Sequence, residues 1–89
     1  MTESQPSQPH EVTVDARGLL CPEPVIALAR AAKDGAKVIV LIADDPVADI
    51  DVPAWCLMTG NVMEKRTPLP EGPDSGVSYR VVISELPPD

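Results

Sequence analysis

Hydrophobic and polar positions are arranged along the chain so as to predict six elements in the order β-α-β-α-β-β. Val12 and Val14 alternate with polar neighbours, the period of a strand. Lys37-Val38-Ile39-Val40-Leu41-Ile42-Ala43 is an apolar run of strand length, which suits a central strand covered on at least one face. Between them Val25, Leu28, Ala29 and Ala32 recur at helical spacing, Arg30 and Lys33 suit the negative end of a helix, and Gly35 is placed to stop it. Such a strand-helix-strand unit crosses over with right-handed sense, so the first two strands are expected to run parallel.

A second helix is signalled by Asp51 ahead of Val52-Pro53, with Trp55, Cys56 and Met58 as apolar bulk and Gly60 as its stop. Val62 to Thr67 and Val77 to Ser84 read as two further strands, joined by the Pro- and Gly-rich loop from Pro68 to Gly76. Residues 1–10 are rich in Ser, Gln and Pro without periodicity and are predicted to be a disordered tail; Leu86-Pro87-Pro88-Asp89 is predicted to be a loose C-terminus. A single domain over residues 11–85 remains.

Composition restricts the core and the partners. With 89 residues, 44% of them hydrophobic, and one Trp, one Tyr and no Phe, the core must be small and built from Val, Ile, Leu and Ala. No large cofactor cavity, and no cofactor, is expected in a domain of this size. Seven basic residues against fourteen acidic ones leave a net charge of −7, which argues against direct binding of nucleic acid or an anionic membrane. A basic protein surface is the more natural partner. The 34 residues between Cys21 and Cys56 make neither a metal-ligand spacing nor a redox pair, and the one histidine, His10, falls in the polar tail, so no metal site is expected. No apolar run has the length of a membrane span, about 18 residues, and no basic stretch leads into an apolar one, so the chain reads as a cytoplasmic monomer with free thiols.

The candidate chemistry lies in Gly18-Leu19-Leu20-Cys21-Pro22-Glu23-Pro24, where the first strand gives way to the first helix. That junction falls at the carboxyl end of the first strand, the usual place for chemistry in open α/β sheets. With Cys21 at the N-cap, unpaired N–H groups and the positive helix end would favour thiolate over thiol. Pro22 suits the first helical turn and keeps Cys21 out of helical conformation; Pro24 lacks an N–H, which leaves Glu23 as the local donor to the sulfur. The competing reading is a buried cysteine that happens to cap a helix.

Asp15-Ala16-Arg17-Gly18-Leu19-Leu20-Cys21-Pro22-Glu23-Pro24 resembles the signature of the TusA/SirA family of small sulfur carriers. Ala43-Asp44-Asp45-Pro46, followed by Asp51-Val52-Pro53, resembles its second signature. The resemblance implies an α/β two-layer sandwich: a four-stranded mixed sheet of order 1-2-4-3, its last strand antiparallel, with two helices on one face. It also implies that Cys21 accepts a persulfide sulfur from a cysteine desulfurase or other sulfur donor and relays it to an acceptor protein. Routes served by such carriers include tRNA 2-thiolation, molybdenum cofactor maturation and sulfur oxidation.

Asp15, Gly18, Pro22, Glu23 and Pro24 match the motif as supports: Gly18 for an unusual backbone angle, Asp15 as an acceptor of N–H bonds in the turn. Asp44, Asp45 and Pro46 read either as a docking feature near Cys21 or as a turn with a helix-capping acid. Cys56, beside Trp55, reads as a packed core thiol, and Arg17, Arg30, Lys33 and Lys37 as solvated cations or guides for an acidic partner. Two other functions use the same residues differently. One is a regulatory or interaction module in which Cys21 only caps the helix; the other is a selenium-handling or redox thiol protein.

Overall fold

The central strand is β2 (Val38–Ala43), in which Ile39, Leu41 and Ala43 point into the core while Val38, Val40 and Ile42 stay half-buried on the opposite face. This period-2 division is what the pleat imposes on an apolar run with one face covered. The computed structural model describes residues 11–72 and 75–84; the tail expected over 1–10, with His10, the C-terminus expected over 86–89, and Pro73 and Asp74 lie outside them. β1 (Glu11–Asp15) pairs parallel with β2, placing Val12 opposite Ile39 and Val14 opposite Leu41. β4 (Val77–Val82) lies antiparallel on the other side of β2, and β3 (Val62–Pro68) antiparallel beyond it, so the sheet order is β1-β2-β4-β3. This is the mixed sheet that the resemblance implied.

Helices α1 (Glu23–Lys33) and α2 (Ala48–Thr59) pack together over one face of the sheet, closing a core of Leu28, Ile39, Leu41, Val52, Val81 and the ring of Tyr79. The other face is open. There Arg80 of β4 pairs with Glu64 of β3 at 2.8 Å and with Glu11 of β1 at 3.5 Å. Glu64 is the extra residue where the β3–β4 register shifts between Met63 and Lys65. Gly60 ends α2 in the left-handed conformation that glycine adopts without strain (φ 76°), its N–H reaching back to the Cys56 carbonyl.

Two boundaries depart from expectation. α2 begins at Ala48, three residues before the expected cap at Asp51, because Pro46-Val47 already turns the chain: Ala48 N–H donates to the Asp45 carbonyl and Asp51 N–H to the Val47 carbonyl. Pro53 therefore lies inside the helix, where it has no N–H for the Asp49 carbonyl one turn earlier. At the other site, α1 begins at Glu23 with Pro22 at the N-cap, so Cys21 precedes the cap.

Leu28 is fully buried whereas Leu57, on the outer side of α2, is 84% exposed. Leu28→Ala is expected to cost about 2–5 kcal/mol and Leu57→Ala less than about 0.5 kcal/mol. Urea-unfolding midpoints compare them, and equal losses would mean that the division of the helices into a buried side on α1 and an outer side on α2 is wrong.

Candidate functional site

Between β1 and α1 the chain makes a turn whose own backbone bonds are few: Leu19 N–H donates to the Ala16 carbonyl at 3.2 Å and Glu23 N–H to the Leu20 carbonyl at 2.9 Å. Gly18 takes a positive φ of 85°, as expected for the unusual angle assigned to it. Asp15 supports the turn from within, accepting from Arg17 N–H at 3.1 Å and forming an ion pair with its guanidinium at 2.6 Å. The Arg17 side chain, with its backbone N–H second, holds the Asp15 carboxyl down to about 2. Pro24 is fully buried and anchors the start of α1 in the core; Pro22 and Glu23 are exposed.

The remaining support arrives from the turn after β2. Asp44 accepts the Gly18 N–H through both oxygens, at 3.0 and 3.2 Å. Asp45 accepts the Cys21 N–H through Oδ2 at 2.9 Å and the Val47 N–H through Oδ1 at 3.0 Å. One carboxylate thus ties the cysteine's backbone to the residue that precedes α2. These bonds, that from Cys21 foremost, hold the Asp45 pKa below its ordinary value. Asp44 and Asp45 were expected either to dock a partner or to shape a turn; they shape two turns at once, their own and that of Cys21.

The expected activation of Cys21 by the helix end is not what surrounds it. Its thiol pKa is pushed up to about 11, first by partial burial, then by donation to the Asp51 carboxylate and by the negative charges of Asp45 and Asp51. The donors expected closest to the thiol are taken or missing: Pro22 and Pro24 have no N–H, the Cys21 N–H is taken by Asp45, and the Glu23 N–H, expected to reach the sulfur, is taken by Leu20. The sulfur is a neutral thiol held in an acidic setting.

Asp51 is positioned by α2, and α2 is fastened at its first turn by Asp49, which accepts from the Tyr79 hydroxyl and, through two bonds of 2.9 and 3.0 Å, from Arg66. Arg66, and after it Tyr79, lower the Asp49 pKa. This link across residues 49, 66 and 79 was not foreseen; a Tyr in a strand and an acid in a helix carry no joint signal until the fold brings them together. Beside it lies an open hollow of about 330 Å³ bordered by Asp44, Pro46, Asp49, Gly76 and Tyr79. Gly76 is required there, since a Cβ would come within 2.9 Å of the Ala43 carbonyl oxygen. Cys21 does not border the hollow; it is half-buried, packed against the edge of the core. Cys56 is buried as expected, and burial raises its pKa. Among the described residues no group of His, Cys, Asp and Glu is placed to hold a metal ion, and no helix is long and apolar enough to cross a membrane.

A two-layer α/β sheet that sets one half-buried cysteine on a turn at the carboxyl end of its first strand, off the border of the hollow, has the build of a small thiol carrier. The family model of the sulfurtransferase TusA matches residues 12–84, and the chain belongs to that family of sulfur-transfer proteins. The matched segment takes in all six elements described above but for Glu11, the first residue of β1.

Two predictions test the electrostatics. In Asp51→Asn the thiol loses a negative neighbour and an anionic acceptor, so Cys21 is expected to alkylate severalfold faster than wild type at pH 8, with its rate profile displaced to lower pH. Iodoacetamide kinetics followed by peptide mass would show this, and a profile that stays in place would refute the charge account. Asp45, lowered in the folded state, stabilises the fold at neutral pH, and that contribution is lost as pH falls through its folded value. Urea midpoints measured from pH 7 to about 2 should therefore fall on the acid side, and less steeply in Asp45→Asn. Parallel curves would show that the carboxylate does not tie the turn.

Proposed function

We propose that this chain carries sulfur as a persulfide on Cys21, taken from a cysteine desulfurase or another protein-bound donor and delivered to an acceptor protein in the reducing cytoplasm. The observation that carries this reading is the placement of Cys21: half-buried, not enclosed, on a turn held by Asp44 and Asp45 at the carboxyl end of β1, and not on the border of the hollow. A small-molecule enzyme would enclose its nucleophile; a relay must expose it.

In loading, the Cys21 thiol gives up its proton and its sulfur attacks the outer sulfur of the donor's persulfide. The donor's S–S bond breaks, the new S–S bond forms on Cys21, and the donor cysteine leaves as a thiolate that takes a proton. Nothing is oxidised or reduced overall. Delivery repeats the exchange, with the outer sulfur of Cys21 attacked in turn. Because the thiol is held protonated by burial and by Asp45 and Asp51, cations of a docked partner would release it by offsetting those charges. Acceptors in tRNA 2-thiolation, molybdenum cofactor maturation and sulfur oxidation all fit this chemistry.

Incubation with a cysteine desulfurase and cysteine is expected to add one sulfur to the intact mass, removable by reductant, in wild type and in Cys56→Ser but not in Cys21→Ser. Loading that survives Cys21→Ser and disappears in Cys56→Ser would overturn the assignment.

A further inference from the structure

Helix α2 is apolar on two sides, and only one of them is used by the fold. Ala48, Val52 and Cys56 are buried, as the core side of a helix requires. Yet Val47, Ile50, Leu57 and Met58 are 45%, 70%, 84% and 82% exposed, and Ala54 between them is exposed as well. The intervals 47, 50, 54, 57 and 58 place these residues on one stripe about 16 Å long. Nothing in the fold needs this stripe, and an apolar strip on a surface is costly unless it is covered.

We propose that this outer face of α2 is the docking surface for the enzyme that loads Cys21, a proposal that rests on the carrier reading above. The stripe is continuous with the site: the Asp45 carboxylate that holds the Cys21 N–H also holds the N–H of Val47, the first residue of the stripe, and Asp51, in the first turn of α2, is one of the two acids whose charge bears on the Cys21 thiol. A protein whose persulfide meets Cys21 comes up against Val47 and Ile50.

Charge identifies the occupant. Residues 44–59 contain Asp44, Asp45, Asp51 and Asp49, of which Asp49 is paired with Arg66, and no Lys, Arg or His, and the carbonyl end of α2 has no cation in its last turn. A second copy of this chain would set acid against acid, each copy carrying −7. The matching partner surface is an apolar strip bordered by Lys and Arg beside its persulfide cysteine, the same cations that would relieve the acids around the Cys21 sulfur. The stripe is short, so the contact is small and reversible, as a relay requires.

The test measures sulfur transfer to Cys21 from two sources: a cysteine desulfurase charged with cysteine, and glutathione persulfide, which needs no docking surface. Ile50→Glu and Leu57→Glu change exposed side chains and should leave thermal unfolding within a few degrees of wild type. Val62→Glu, exposed on β3, serves as the control. The expected result is a roughly tenfold loss of kcat/KM with the desulfurase for the two α2 variants, carried by KM, with unchanged rates from glutathione persulfide and a near-normal control. Equal desulfurase kinetics in all variants, or a wild type loaded by glutathione persulfide and not by the desulfurase, would overturn the docking surface while leaving the carrier reading in place. A Cys21 that neither source loads would overturn both.

Discussion

Everything distinctive about this molecule follows from two adjacent carboxylates gripping the backbone of a turn some two dozen residues away. Asp44 and Asp45, at the end of the central strand, take the N–H groups of Gly18 and Cys21. A turn with so few bonds of its own would otherwise present those donors to water. Hydrogen bonds from backbone N–H to a carboxylate are charge-assisted and roughly twice as strong as neutral ones. The parallel pairing of β1 with β2 makes the arrangement possible, since it brings the carboxyl ends of both strands to the same edge of the sheet.

The same acids that fix the position of the sulfur also set its protonation. Burial first, and then the negative charges of Asp45 and Asp51, act on Cys21 against the positive helix end and keep its thiol protonated. Position and reactivity are thus coupled through one loop. A surface that neutralises Asp45 and Asp51 changes the chemistry of the thiol without moving it.

Much of this was legible in the sequence. The apolar run from 38 to 43, the helical spacing of Val25, Leu28 and Ala32 and the stops at Gly35 and Gly60 each rest on a local rule, and the fold obeys them. The motif resemblance supplied the sheet order, which no local pattern contains. What escaped was tertiary. The start of α2 was masked by Pro53, which reads as a first-turn proline but sits inside the helix. The sign of the thiol's shift depended on Asp45 and Asp51, whose approach to Cys21 is a product of the crossover, and the Asp49–Arg66–Tyr79 link joins three elements with no shared signal.

The outer face of α2 has a further consequence. Apart from Val47, whose N–H binds Asp45, its residues lie outside the core and anchor none of the described hydrogen bonds that hold the cysteine turn, whereas the core face of the same helix and the acids at its start carry the fold and the presentation of the sulfur. Duties that are divided in this way can diverge separately. Substitutions along 50, 54, 57 and 58 meet little structural selection, so descendants of one ancestral gene could exchange recognition surfaces while retaining an identical sulfur-presenting turn. In such a lineage the outer side of one helix, read apart from the rest of the chain, would record which protein each descendant serves.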